Sequence, residues 1–363
     1  MKYLFIVQSE GRGHLTQAIA LADMLRRNGH EVSEILLGES KEREIPSFFL
    51  NNIGCPVLKF ATFTFRYKKN NKGVNLFRSI LYNAEIRQLK KYRKSIEFIH
   101  DRIVEQQPDA VISFYEVFSA FTFLRYKIKI PFINIGHQFL INHPDYNFAK
   151  STKNEMMLLR LHTYVNTLGA TRNLALSFYP MEDSLDEKIS VVPPLLRKEV
   201  LEATPTEEDF ILVYMVNSGY ESEIREWHAK NPDIKLRCFW DKKDAPQKWE
   251  IDSKLTFYQL DDKKFIKYMA SCKGYISTAG FESICEAFYL KKPVMMIPAH
   301  IEQEINASDA ASTGYGITDT FFNIDRLLDY IKQYRKEDNH FKEWVNSGET
   351  MFLEKITNHF RKP

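Results

Sequence analysis

The stretch Gly274 to Gly316, GYISTAGFESICEAFYLKKPVMMIPAHIEQEINASDAASTGYG, decides how the rest of the chain is read. Gly274 to Thr278 is a short β-branched and aromatic run of the kind that forms a buried strand. Ala279 and Gly280 make a turn, and Phe281 to Leu290 then carries apolar residues at helical spacing (Phe281, Ile284, Cys285, Phe288, Tyr289). A strand that passes through glycine into a helix aims the helix's free N–H groups and positive dipole end at the turn, which is a seat for phosphate oxygens. Glu286, between one and two turns into that helix, is within reach of a ribose bound there. A second strand, Pro293 to Pro298, ends in a loop holding Glu302, Gln303 and Asn306. Two adjacent strands thus end in polar loops, at the edge where open α/β sheets bind ligands.

The order Gly280, Glu286, a strand ending in Pro298, the pair Glu302-Gln303 and then Asn306-Ala307 resembles the donor signature of GT-B glycosyltransferases. It is most similar to the UDP-glycosyltransferases and to the N-acetylglucosaminyltransferase of peptidoglycan synthesis. The resemblance implies that Glu286 holds the ribose, that Glu302 and Gln303 hydrogen-bond the donor sugar, and that Glu282 and Ser283 lie near the diphosphate. Gly13, Ser218, Gly219, Thr278, Gly280 and Phe281 complete the donor set it implies. Where the family usually has His or Arg for the diphosphate, this chain has the neutral Thr278, which leaves neutralisation more to the helix N-terminus. The bland alternative is an ordinary strand-turn-helix in which Glu286 is a solvated helix residue; five matched positions in one register argue against it.

The chain has 363 residues, enough for two domains that each bury a core. Met1 to Gln8 reads as a first strand, followed by a glycine-containing turn and a helix from about His14 to Arg27 that stops at Asn28-Gly29. Further strands are expected at Glu31 to Leu37, Val57 to Phe60, Ala110 to Phe114, Pro131 to Ile135 and Leu174 to Phe178. Val191-Val192-Pro193-Pro194 closes the first domain. The second repeats the theme at Phe210 to Met215, Leu236 to Trp240, Leu255 to Leu260, Gly274 to Thr278 and Pro293 to Pro298. Strands spaced by helical stretches predict parallel sheets with helices on both faces. The expected architecture is α/β of the GT-B type, two Rossmann-like domains facing a central cleft. Residues 1–195 would take the acceptor, 208–340 the nucleotide sugar, and 341–363 would form a helix crossing back to the first domain.

Cys55, Cys238, Cys272 and Cys285 have no metal-type spacing and read as reduced core residues, which suits the cytoplasm. The apolar run Tyr3 to Val7 is too short for a signal peptide, and no run approaches the ~18 residues of a membrane span.

Gly11-Arg12-Gly13-His14 is the second chemical constellation. It resembles the Gly-His motif after the first strand of the same enzymes, in which the His is the general base. The physical argument is separate: glycosyl transfer needs a group to take the acceptor hydroxyl's proton, and a neutral imidazole suits that near pH 7. A helix N-terminus disfavours imidazolium and keeps the base free. The alternative is a His that caps a helix. Arg12 either approaches the donor phosphates or is solvated. A His base is commonly oriented by a carboxylate. Related enzymes often place an Asp where this chain has Phe114, so either Glu116 takes that role or the base is unpartnered. His137 and Gln138, beyond the fifth strand, either line the acceptor pocket or form a packed, hydrogen-bonded loop. Asn217-Ser218-Gly219-Tyr220 either meets the diphosphate through backbone N–H groups or is a plain turn.

Arg66 to Lys94 holds ten Lys and Arg against one acid, Glu85, a local charge of +9 in a chain of net +3. Phe63, Phe65, Tyr67, Phe77, Ile80, Leu81 and Tyr82 are interleaved with it. Such a stretch fits an anionic bilayer surface at the inner face of the membrane, then a solvated helix face, and last nucleic acid, for which no fold signature is present.

No Asp-x-Asp occurs, which points to a metal-free, inverting displacement with the nucleotide sugar as co-substrate and no other cofactor. The acceptor is a hydroxyl, lipid-linked if the basic stretch meets a membrane. Two other functions fit the same residues: a nucleotide-sugar 2-epimerase of the same fold, and a non-catalytic sugar-nucleotide-binding subunit.

Overall fold

A computed structural model describes residues 1–39, 45–64, 66, 76–146, 154–215, 218–242, 245–334 and 338–357. The described residues form two compact units. One holds the chain up to Arg197 together with the residues from Trp344 onward, and the other holds Lys198–Glu343.

The first unit is built on seven strands: β1 (Lys2–Gln8), β2 (Glu31–Glu39), β3 (Val57–Ala61), β4 (Ala110–Phe114), β5 (Phe132–Gly136), β6 (Arg172–Leu176) and β7 (Ile189–Val192). Their order is β3-β2-β1-β4-β5-β6-β7, and every pair is parallel. Parallel strands are covered on both faces, which is why β4 and β5 are buried at every position and β1 at all but its ends. Leu4, Ile6, Val111 and Phe132 pack with Ile99, Ile103, Phe118 and Phe123 of the covering helices. The first helix, Arg12–Arg27, ends with Arg26 and Arg27 in its last turn, cations that suit the negative end of the dipole, and Gly29 follows at φ +75° as the expected C-terminal stop.

The second unit has β8 (Ile211–Tyr214), β9 (Leu236–Trp240), β10 (Lys248–Glu250), β11 (Leu255–Gln259), β12 (Gly274–Ser277), β13 (Val294–Met296) and β14 (Gly316–Thr318). Their order is β10-β11-β9-β8-β12-β13-β14. All pairs are parallel except β10–β11, so the expectation of a wholly parallel sheet is corrected at that edge. A three-residue antiparallel edge strand adds ladder hydrogen bonds without needing a crossover helix.

Both sheets reverse their winding at one place, between β1 and β4 in the first and between β8 and β12 in the second. Crevices at such reversals, beyond the carboxyl ends of the strands, are the ligand sites of open α/β sheets. Register fixes what meets there. Val7 pairs with Phe114, so the turn at Ser9–Gly13 emerges beside Tyr115 and Glu116. Ser277 pairs with Tyr214 on one side and Met296 on the other, so the Thr278–Gly280 turn emerges beside the loops after β8 and β13.

Residues 341–363, expected as one helix, hold two over the described part, His340–Asn346 and Gly348–Thr357. They are tied to first-unit residues. Trp344 Nε1 donates to Ser177 O at 3.0 Å, Arg27 meets Glu349 at 2.9 Å, and Lys355 bonds Asp183.

Candidate functional site

His14 is the third residue of the first helix, behind the Gly11 cap, and is buried. Its Nδ1 stands 3.3 Å from Gln17 Oε1, one turn along the same helix. Its ring stacks on Tyr115, centroids 5.8 Å apart and planes 24° apart. Tyr115 holds a left-handed backbone at φ +55°, a conformation that costs a bulky residue energy and that collects at functional sites. Three contacts hold it there. Its hydroxyl shares a 2.7 Å hydrogen bond with Thr163 Oγ1, and its ring meets Phe139 and His162 edge-on. A Cβ added to Gly11 would approach only Gly13 N, at 4.0 Å, among the described residues.

Glu116, expected as the orienting carboxylate, caps the Val117–Tyr126 helix by accepting from Phe118 N at 3.2 Å. It also accepts from Thr62 Oγ1 at 2.9 and 3.0 Å. It is 1% exposed, and burial pushes its carboxyl up to about 7, with Thr62 and the Phe118 N–H opposing the rise and the charge of Glu10 adding to it. Gly38 makes room for it: a Cβ there would collide with Glu116 Oε2 and stand 3.0 Å from the Thr62 methyl. Phe114 is a packed strand residue, edge-on to Phe5. Arg12 lies over the Phe48 ring at 4.7 Å. His137 opens the His137–Asn142 3-10 turn and is buried, its Nδ1 2.7 Å from Leu176 O and its ring edge-on to Phe178. Gln138 is buried beside it.

In the second unit, β12 passes through Thr278 and Ala279 to Gly280, the cap of the Phe281–Tyr289 helix. Ala279 takes φ +66°, unusual for a residue with a Cβ. Two side chains from the helix after β13, Ile301–Ser312, hold the turn in that shape. Asn306 Nδ2 donates to Ala279 O at 3.2 Å. Gln303 accepts from Ala299 N at 2.9 Å and donates to Thr278 Oγ1 at 3.4 Å. Ser283 Oγ donates back to Gly280 O at 3.2 Å. A Cβ added to Gly280 would meet only Ser283 Oγ, at 3.8 Å, among the described residues. Phe281 is buried, and Glu282 and Glu302 are half-buried in the first turns of their helices. Glu286 is 3% exposed and is therefore no solvated helix residue. Burial pushes the Cys285 thiol well above its usual range, and the nearby charges of Glu282, Glu286 and Asp309 push it further.

Ser218 and Gly219 begin a short 3-10 turn after β8, while Asn217 lies outside the described residues. So do Phe65, Tyr67, Lys68, Lys69 and Lys72 of the basic stretch. Among the described residues, no group of three or more His, Cys, Asp or Glu comes together as a metal site, and no helix is long and apolar enough to cross a membrane. Sequence reasoning missed Gln17, Thr62, Tyr115 and the tethering role of Asn306.

The fold is similar to that of several solved glycosyltransferases. The kitacinnamycin glycotransferase matches with 14% identity over 98% of each chain and a TM-score of 0.63. LpCGTa, solved with UDP, matches with 14% identity over 100% of this chain and 99% of that one, at 0.62. UGT89C1 of Arabidopsis thaliana, solved with UDP-L-rhamnose, matches with 12% identity over 99% and 98%, at 0.63. At such identities the likeness shows the fold, which is GT-B. No curated protein matches. The profile of glycosyl transferase family 1 matches residues 1–334, nearly the whole length, and the chain belongs to that family.

Proposed function

We propose that this glycosyltransferase is inverting and metal-independent, and that it moves a sugar from a UDP-sugar to the hydroxyl of a lipid-linked acceptor. The observation that carries the reading is the Thr278–Phe281 turn, tied by Gln303 and Asn306, with a buried carboxylate, Glu286, on the helix it caps. UDP is favoured because structural neighbours were solved with UDP and with UDP-L-rhamnose.

In this reading residues 208–340 take the donor. Glu286 accepts from the ribose hydroxyls, Glu302 and Gln303 bond the sugar, and the diphosphate sits at the N-terminus of the Phe281–Tyr289 helix. Residues 1–195 take the acceptor. Its hydroxyl gives a proton to His14 while its oxygen attacks the anomeric carbon opposite the leaving group. The bond from that carbon to the diphosphate oxygen breaks in the same step. Helix N–H groups then meet the charge that develops on the leaving diphosphate, with no resident cofactor taking part. The imidazolium formed on His14 faces the Tyr115 ring, and an aromatic face attracts a cation.

The test is incubation with a panel of nucleotide sugars in the presence of a chelator. Nucleoside diphosphate release that depends on an added hydroxyl acceptor is expected. Isomerised donor without acceptor would instead make the chain a 2-epimerase, and binding without turnover a non-catalytic subunit.

A further inference from the structure

The first nine residues of the Ile86–Gln106 helix hold Arg87, Lys90, Lys91, Arg93 and Lys94 and no acid. Gln88, Tyr92, Ser95, Ile99 and Ile103 form its buried face. At 3.6 residues per turn, Ile86, Arg87, Lys90, Arg93 and Lys94 fall on the opposite arc, and Leu89 lies on its flank beside Arg93. The exposures agree: Ile86 is 75% exposed and Leu89 53%, and Leu81 of the preceding Leu76–Asn83 helix is 55% exposed. Three large aliphatic side chains therefore stand in solvent within nine residues, among cations. The aromatic side chains of this stretch that are described do not share that face. Phe63 packs edge-on to Tyr92, and Tyr82 lies under Arg66 at 4.0 Å.

We infer that this face docks on an anionic lipid surface, with Leu81, Ile86 and Leu89 entering the headgroup boundary and Arg87, Lys90, Arg93 and Lys94 meeting lipid phosphates. Charge complementarity selects the occupant. Cations alone would suit nucleic acid equally, but apolar side chains standing out of a cationic arc have no partner on a phosphodiester backbone, whereas a bilayer takes both. Arg93 also bonds Glu97 at 3.1 Å, so Arg87, Lys90 and Lys94 carry more of the attraction. The inference deepens the proposed function by naming how an apolar acceptor would be reached, and only its purpose rests on that reading.

The experiment is co-sedimentation of the whole chain with phosphatidylcholine vesicles, with and without phosphatidylglycerol. The protein should pellet with the anionic vesicles and much less with neutral ones. Each cation neutralised, as in Lys90→Gln or Lys94→Gln, should weaken partitioning on the order of fivefold at low salt, and reversal to Glu should weaken it further. Ile86→Ser with Leu89→Ser should remove most of the binding that survives high salt, leaving the share of Leu81, because apolar insertion is not screened. These exposed changes should leave the melting temperature near that of the unaltered protein, and turnover of a water-soluble acceptor unchanged. Vesicle binding without any turnover would count against the proposed function and leave this inference standing. Recovery in the supernatant with both vesicle types, charge-reversed variants that pellet undiminished, or retention by duplex nucleic acid in place of vesicles would overturn it.

Discussion

The imidazole of His14 lies over the phenol ring of Tyr115, stacked at 5.8 Å. Glu116, one residue further on, is turned to Thr62 and to the N–H of Phe118. A carboxylate partner would favour imidazolium through charge, whereas an aromatic face does so through its quadrupole, by about 0.5 to 2 kcal/mol. The aromatic ring therefore assists most when the proton arrives and alters the resting base little.

Tyr115→Leu should lower kcat by roughly tenfold with the donor KM unchanged, since that stabilisation acts on the protonated base. It should also move the acid limb of the pH–rate profile to lower pH. Tyr115→Phe keeps the ring and removes the bond to Thr163, so it should cost about 1 kcal/mol of stability and little kcat. Steady-state kinetics beside thermal melts separate the two; equal kcat losses would make Tyr115 structural only.

Glu116 gives a pH dependence of stability with a definite sign. Its folded-state pKa, about 7, lies above the ordinary 4.5, so the folded protein binds the proton more tightly than the unfolded one. That contribution is fully present below about pH 4.5 and is lost as pH rises through about 7, by up to about 3 kcal/mol. Glu116→Gln cannot ionise, so its melting temperature should gain on that of the unaltered protein between about pH 5 and about pH 8. A constant difference across that range would show that Glu116 stays ionised in the fold.

Gly38→Ala forces a methyl onto Glu116 Oε2 and against Thr62. Overpacking of this kind should cost about 1 to 3 kcal/mol, read as a lower denaturation midpoint. In the Glu116→Ala background the cost should shrink, because the clashing atom is gone.

Asn306→Ala releases the carbonyl of Ala279 and frees the turn to leave φ +66°. UDP affinity should fall several-fold, as expected when a neutral hydrogen bond of about 1 kcal/mol is lost. Ala279→Gly, which adopts that φ without strain, should restore part of the loss in the double variant. Calorimetry on the two single variants and the double variant reads the coupling.

The alternation of strands and helices was legible because buried parallel strands are apolar throughout and their helices carry a 3.6-residue period. The Thr278–Glu286 turn was legible for the same reason: strand, turn and helix fall in the consecutive residues Gly274 to Tyr289. The edge strands β10 and β14 were not, since three residues show no period, and β7 was seen only as Val191-Val192 before the prolines. The bond of Glu116 to Thr62 was not legible, because Thr62 lies 54 residues away, beyond β3, and nothing in the sequence brings the two together. Tyr115 escaped notice because a left-handed tyrosine leaves no local mark, unlike a glycine.

The account rests most heavily on Glu286 as the ribose ligand, and calorimetric titration of UDP tests it. Glu286→Ala should bind UDP at least about tenfold more weakly than the unaltered protein, through loss of charge-assisted hydrogen bonds of about 1.5 to 3 kcal/mol. His14→Ala, run beside it, should bind UDP normally while transfer falls by ~100-fold or more. Indistinguishable UDP isotherms for Glu286→Ala and the unaltered protein would contradict the donor site drawn here.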